Sequence, residues 1–272
     1  RGIKDIAKAI ARELNISGPM NIQFLAKNNL IKVIETNVRA SRSFPFVSKV
    51  TGYNFIEIAT HAMLGSPKIH QYLKQKFITL DLDHVGVKVP QFSFSRLKGA
   101  DPVTGVEMAS TGEVACFGDN VFEAFLKAMI SAGFRIPKKN ILLTIGKLED
   151  KLDFLESAKK LEHMGFNLFA TTGTHTFLTE HQVASKLVHK IHSHEKPNLL
   201  EYLNDKKFDL VIDIPKGFSH EEITDGYLIR RKTIDHNIPL VTNVQVAKLL
   251  TESFARYSEK TLAAKAWSAY VK

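Results

Sequence analysis

Apolar residues recur every three to four positions at the start of the chain, placing Ile3, Ile6, Ala7, Ile10, Ala11 and Leu14 on one stripe. That period predicts an amphipathic helix, broken by the polar, glycine-bearing stretch 15–18. The rhythm becomes strand-like over 20–26 and 31–36, with Asn28-Asn29 as the turn signal. Helices are expected over 44–50 and 55–64, because Gly52 and Gly65 lie just beyond them, where helix C-termini favour glycine. Residues 66–83 are the least regular. Strands are expected over 85–89 and 106–117, then a helix over 121–132 ended by Gly133.

The short, polar, proline-bearing stretch 136–140 is the best candidate for a domain boundary. Beyond it, predicted strands (141–145, 167–170, 183–188, 210–214, 239–242) alternate with predicted helices (152–164, 174–180, 198–204, 226–236, 244–254). Such alternation implies an α/β domain, a doubly wound parallel sheet with helices on both faces. With 272 residues the chain is long enough for two domains, each with its own core. There is no internal repeat.

Charge and composition narrow the function classes. The formal charge of +9 would suit anionic partners, but the lysines are spread along amphipathic helices without interleaved aromatics, which argues against nucleic acid. No apolar run approaches the roughly 20 residues of a membrane span, so no membrane partner is expected. The single Cys116 excludes an internal disulfide framework, and its apolar neighbours suggest a packed small side chain rather than a nucleophile. The histidines 175, 181, 189, 192 and 194 share no metal-binding spacing and read as surface residues. The chain begins at Arg1 with no signal-peptide pattern and looks excised from something longer; a cytoplasmic location is expected, or a mitochondrial one if a transit peptide has been lost.

Two constellations carry chemistry. In the predicted hairpin, Glu35 and Asn37 share a strand face. A two-residue turn at Asn28-Asn29 would put Gln23 opposite Ile34, on the wrong face; a three-residue turn over 28–30 would pair Gln23 with Glu35 and Asn21 with Asn37. The odd-length turn is expected, with Ile22, Phe24 and Ile34 buried on the other face. One carboxylate and two side-chain carbonyls suit a hard divalent cation, and Arg39 and Arg42 follow where they can neutralise phosphates. An ordinary hairpin with a solvent-facing Glu and Asn is the alternative, and spacing does not separate the two. The second constellation, Ala170-Thr171-Thr172-Gly173-Thr174, lies between a strand and a helix, where backbone amides and hydroxyls can cradle a phosphate or simply cap the helix.

The run from Ile34 to Lys49, with Glu35-Thr36-Asn37-Val38-Arg39 and Pro45-Phe46-Val47-Ser48-Lys49, resembles the signature of the carbamoyl-phosphate synthase large chain. The likeness continues through Lys88-Val89-Pro90-Gln91-Phe92, Gly99-Ala100-Asp101-Pro102 and Glu107-Met108-Ala109-Ser110-Thr111-Gly112-Glu113. It implies that 1–137 is the C-terminal part of an ATP-grasp domain (α+β) that phosphorylates carbamate. By the same resemblance Gln23, Glu35 and Asn37 would ligate Mg2+ or Mn2+ bridging ATP phosphates, with Arg39 and Arg42 near the transferred group. The resemblance further implies a parent with a first synthase half and a glutamine amidotransferase domain or subunit as partners. Because the upstream part of the ATP-grasp domain is absent, this chain alone is expected to have little or no synthase activity.

Residues 138–272 resemble the methylglyoxal-synthase-like regulatory domain of that family. The resemblance places an effector's phosphate on Lys151, Thr171, Thr174 and Lys190. Asp213-Ile214-Pro215 departs from the family's sugar-and-base pattern, and Asn243 replaces its ornithine-responsive threonine. Asp213, Lys216, Gly226 and Lys190 stand where N-acetylglutamate-responsive enzymes use asparagines and a tryptophan, which argues against that activator. A phosphorylated effector is expected, as in pyrimidine-pathway enzymes that respond to UTP and phosphoribosyl pyrophosphate, while an arginine-pathway parent stays open. No Gly-Gly-Asp motif of methylglyoxal synthase itself is present. The competing reading is a stand-alone nucleotide-binding or interaction module without catalysis.

Overall fold

The computed structural model describes residues 2–73, 82–103, 112–191, 195–196, 198–216 and 220–271. The chain divides into two compact units, Arg1–Val85 with Lys265–Lys272, and Gly86–Ala264.

The first unit holds α1 (Gly2–Glu13), the strands β1 (Asn21–Lys27) and β2 (Leu30–Asn37), and the helices α2 (Ser43–Thr51), α3 (Phe55–Met63) and α4 (Ile69–Leu73). Its helix ends follow local chemistry. The Asn54 side chain accepts from the Glu57 amide at 3.2 Å to start α3. Gly52 closes α2 in the left-handed region, at a φ of 77°. The C-terminal residues belong to this unit, and Trp267 Nε1 donates to the Lys49 carbonyl at 2.8 Å. Residues 74–81 and 104–111 lie outside the described residues, so the first part of the strand expected over 106–117 does too.

The hairpin corrects one expectation. Lys27 pairs with Leu30 around a two-residue turn, and both Asn28 and Asn29 have positive φ (50° and 62°), as a type I′ turn requires. Gln23 nevertheless faces Glu35, because the register slips between Gln23 and Phe24: Phe24 pairs with Val33, leaving Ile34 as an extra residue. A β-bulge thus supplies the odd residue that a longer turn was expected to supply. Ile34 is not buried as expected but 62% exposed, while Ile22 and Phe24 are half-buried.

In the second unit β3 (Val85–Gln91) pairs with β4 (Gly112–Gly118), and α5 (Val121–Ser131) starts on Asn120, whose side chain accepts from the amides of Phe122 and Glu123. Then come β5 (Asn140–Ile145), α6 (Leu148–His163), β6 (Asn167–Thr171), α7 (Thr172–Glu180), β7 (Lys186–Val188), α8 (Leu199–Asn204), β8 (Leu210–Ile214), α9 (His220–Asp235), β9 (Leu240–Val241) and α10 (Val244–Arg256). The five strands β5 to β9 form one parallel sheet in the order β7-β6-β5-β8-β9. The chain winds outward from β5 and returns to start again at β8, which makes the sheet doubly wound.

Strand alternation sorts the core onto the two faces. Ile141, Leu143, Ile145, Leu168, Ala170, Leu210 and Ile212 join Phe154, Leu161 and Leu250 of α6 and α10, together with Phe125 and Leu126 of α5. Leu142, Phe169 and Val211 point the other way, to Leu199 and Leu203 of α8 and Ile229 of α9. Helices α6, α7 and α9 start earlier than their apolar period suggests. In the first turn of α6, Leu148 is exposed and Glu149 and Asp150 favour the positive end of a helix without marking a buried face. The strand expected over 183–188 shrinks to Lys186–Val188, since Val183 instead closes the end of α7 with its amide on the Leu178 carbonyl.

Candidate functional site

The carboxyl ends of β5, β6 and β8 open into a cleft of about 770 Å³. It sits at the reversal of strand order between β5 and β8, where open α/β sheets characteristically take ligands. Lys151, Thr171, Thr174 and Lys190 all line it. Residues from the first turn of α6, the end of β6, the first turn of α7 and the loop after β7 are therefore brought to one cavity, although 39 positions separate the first from the last.

Their roles differ. Thr171 precedes α7 and its side chain does not cap the helix, so the first-turn amides of Thr172, Gly173 and Thr174 face outward as helix N-terminal donors do. Thr174 is buried, and its hydroxyl is engaged with β5: it accepts from the Ile145 amide at 3.0 Å and donates to the Ile145 carbonyl at 3.2 Å. The side chain thus ties α7 to the sheet, and the position offers an anion its backbone amide. Lys151 Nζ donates to the Gly173 carbonyl at 2.7 Å, which holds the ammonium beside the same helix start. Burial, and then repulsion from Lys216, lower the Lys151 pKa from its ordinary value. An anion between two such lysines relieves that repulsion. Lys216 also lines the cleft, and it approaches so closely that a Cβ on Gly146 would lie 2.5 Å from its backbone nitrogen. Only glycine fits at the end of β5.

The opposite wall carries a buried ion cluster that the sequence did not announce. Arg230, 4% exposed, donates from Nη1 to Asp213 Oδ2 at 3.0 Å, and from Nε and Nη2 to both oxygens of Asp101 at 2.7 and 2.6 Å. Asp213 is pushed up to about 6: burial disfavours its charge by more than the guanidinium recovers. For Arg230, burial works against the charge, but the two carboxylates outweigh it and hold the guanidinium above its ordinary range. The one sequence signal was an aspartate inside the otherwise apolar strand Leu210-Val211-Ile212-Asp213-Ile214. Its partners lie 17 and 112 positions away, which no local pattern reports.

In the first unit the hairpin register puts Asn21 opposite Asn37 and Gln23 opposite Glu35. Asn37 Nδ2 donates to Glu35 Oε1 at 2.9 Å, which leaves the amide oxygen as the atom facing any cation. One carboxylate and neutral carbonyl oxygens on one face match the hard, oxygen-seeking character of a divalent cation, so the donor set fits such a metal. Gln23, Glu35, Arg39 and Arg42 are exposed, and Arg39 Nη1 donates to the Ala40 carbonyl at 3.3 Å. Arg42 lies at the start of α2.

Other candidates fall away from the cleft. Asn243 caps α10, accepting from the amides of Gln245 and Val246 at 3.0 and 3.1 Å. His175 meets the Ser185 hydroxyl, His181 the Phe177 carbonyl, and His189 pairs with Glu195, while 192 and 194 lie outside the described residues. Cys116 is half-buried, 3.5 Å from the Ser131 hydroxyl. Among the described residues no helix is long and apolar enough to cross a membrane, and no three His, Cys, Asp or Glu side chains gather as a metal cluster.

Comparison with known proteins gives these sites a context. Residues 1–69 match the family described as carbamoyl-phosphate synthase L chain, ATP binding domain, and residues 153–242 match the MGS-like domain. The chain is 50% identical over 265 residues to the multifunctional protein pyr-3 of Neurospora crassa, covering 94% of this chain and 14% of that protein. It is also 50% identical over 256 residues to the multifunctional protein URA2 of Saccharomyces cerevisiae, covering 91% and 11%. A human relative, carbamoyl-phosphate synthase [ammonia], mitochondrial, is 45% identical over 260 residues, covering 92% and 17%. The chain thus spans less than a fifth of the length of each of these relatives.

Proposed function

We propose that this chain, a segment of the carbamoyl-phosphate synthase kind in which an ATP-binding part precedes an MGS-like domain, contributes metal and phosphate ligands to carbamate phosphorylation and binds the enzyme's effector. The parent is then an ATP-dependent ligase, and the boundary between its two modules falls at 137/138. The convergence of Lys151, Lys190, Lys216 and the first turn of α7 on one cleft carries the effector half of this reading. Two lysines whose charges repel beside a helix N-terminus favour a ligand with more than one negative charge, a phosphorylated metabolite such as a nucleotide.

The catalytic half rests on the hairpin. Gln23, Glu35 and Asn37 offer oxygen donors for Mg2+ or Mn2+, which would offset the charge of ATP phosphates when bound, and Arg39 and Arg42 follow within five residues. Phosphoryl transfer depends mainly on such positioning and neutralisation. The first unit displays apolar side chains such as Leu30 and Leu64, 68% and 75% exposed, which suits a part of a larger ATP-binding domain joined to further synthase and amidotransferase parts. The pyrimidine pathway is favoured, since the chain's likeness to pyr-3 and URA2 exceeds its likeness to the human ammonia enzyme. A cytoplasmic location belongs to the same reading.

Calorimetry on the whole 272-residue chain tests the effector site. UTP and phosphoribosyl pyrophosphate are expected to bind, and Lys151→Ala and Lys216→Ala each to weaken binding about tenfold, the value of one charge-assisted contact. N-acetylglutamate is expected not to bind. Lysine variants that leave the affinity unchanged would remove the cleft as the effector site.

A further inference from the structure

Helix α9 does two things at once. Asp225, Gly226, Ile229 and Arg230 line the cleft. The same helix grips the segment 93–102 from its other side. Tyr227 donates its hydroxyl to the Gly99 carbonyl at 3.0 Å. Arg231 Nη1 donates to the carbonyls of Phe94, Leu97 and Ala100, each at 3.1 Å, while Asp235 orients its guanidinium. Arg230 adds the bidentate bond to Asp101. It is the residue common to both places, because its Nη1 holds Asp213, a lining residue, while Asp101 does not line the cleft.

One guanidinium shared by two carboxylates leaves that cluster a negative charge in excess when both are ionised, and Arg230 and Asp213 are almost fully buried. Gly226, one turn before Arg230, makes the arrangement sterically possible: a Cβ there would meet Arg230 Nη1 at 2.6 Å. An anion entering the cleft competes with the carboxylates for the guanidinium, and it repels them too.

We propose that Arg230 couples occupancy of the cleft to the anchoring of 93–102: an anion bound in the cleft draws the guanidinium toward itself and loosens its bond to Asp101, releasing the segment. This rests on the reading of the cleft as an effector site. Arg230 is here a positioning residue whose two sets of partners compete. Reciprocity follows from linkage, so weakening the Asp101 bond must strengthen anion binding to the same degree.

Two measurements on the whole chain, with UTP as the probe, test this. In the first, Asp101→Asn is expected to bind UTP at least about fivefold tighter than the unaltered chain, the lower end of ordinary coupling. A merely structural role for Asp101 would weaken binding, so an affinity that falls, or stays within about twofold, overturns the proposal. In the second, hydrogen exchange is followed at 93–102 in the unaltered chain, where the amides of Arg96, Leu97 and Ala100 are bonded to Ser93, Phe94 and Leu97. Saturating UTP is expected to speed their exchange at least about threefold, and Asp101→Asn to abolish the response. The response of the unaltered chain alone decides this arm, so it does not depend on the variant folding. UTP binding without faster exchange at 93–102 sinks the coupling and leaves the effector site standing; no UTP binding at all removes both.

Discussion

The two units of this chain are built to different degrees of completeness. In the first, His84 is the one buried side chain among the described residues, and its helices α1, α2 and α3 bury none. In the second, strands β5, β6 and β8 are covered on both faces, and Ala124, Leu126, Ile141, Leu142, Leu143 and Val211 have no exposed surface. Both units nevertheless show well-formed caps, turns and registers. Local signals suffice to shape an element, while a core requires enough elements to enclose it. The candidate sites follow the same division: the hairpin residues proposed to hold a cation lie on an open face, whereas the cleft proposed for an effector is walled by a finished fold.

The widest contrast should appear in hydrogen exchange. Amides of β5 and β8 open only with the whole second unit, whereas those of α1 to α3 open locally. The central strands are expected to exchange at least about a thousandfold more slowly than the helices of the first unit. Equal protection in the two would mean that the first unit has a core of its own, and the comparison would fail.

Truncating side chains sharpens the same point at smaller scale. Phe154 is 1% exposed in α6, amid Ile141, Leu161 and Leu168. Phe154→Ala is expected to cost about 3–5 kcal/mol in denaturant unfolding of the second unit. Leu25→Ala, at a position more than half exposed in β1, should change stability by no more than about 0.5 kcal/mol. A Leu25 effect as large as that of Phe154 would contradict the division.

How much was legible in the sequence depended on range. The doubly wound sheet could be read because each strand is an apolar run and each helix follows in order. The pairing of Gln23 with Glu35 was also legible, but its cause was not. Two asparagines closed a tighter turn, and a bulge at Ile34 restored the register; a bulge leaves no composition signal, since any residue can occupy it. Lys151 and Lys190 could be placed in the cleft only by resemblance. Lys216 stood at an effector-contacting position by the same resemblance, but its close backbone approach to Gly146 and its repulsion of Lys151 needed the structure. Thr174, placed at the site by resemblance, lines the cleft, but that its hydroxyl is engaged with Ile145, leaving its backbone amide for an anion, needed the structure. The Asp101–Arg230–Asp213 cluster was illegible for the plainest reason: its members are far apart in the chain and surface charges look the same in sequence.

Asp213 supplies the smallest and most specific break. In an unfolded chain its carboxyl titrates near the ordinary 3.8, whereas in the folded unit burial pushes it up to about 6. Between those values the folded state holds the extra proton. Its contribution is therefore fully present below about pH 4 and is lost as pH rises through 6. The shift corresponds to an upper bound of about 3 kcal/mol, reduced in practice by relaxation around Arg230 to the order of 1–3 kcal/mol. Other carboxylates act in the opposite direction, so the comparison must be made by difference. Asp213→Asn keeps the side-chain shape and removes the titration. The stability of the variant relative to the parent chain is expected to rise by that amount between pH 4 and pH 7. A difference that stays flat with pH would mean that the Arg230 bond, rather than burial, decides the charge of Asp213, and that the finished core of the second unit tolerates an ion as readily as the open face of the first.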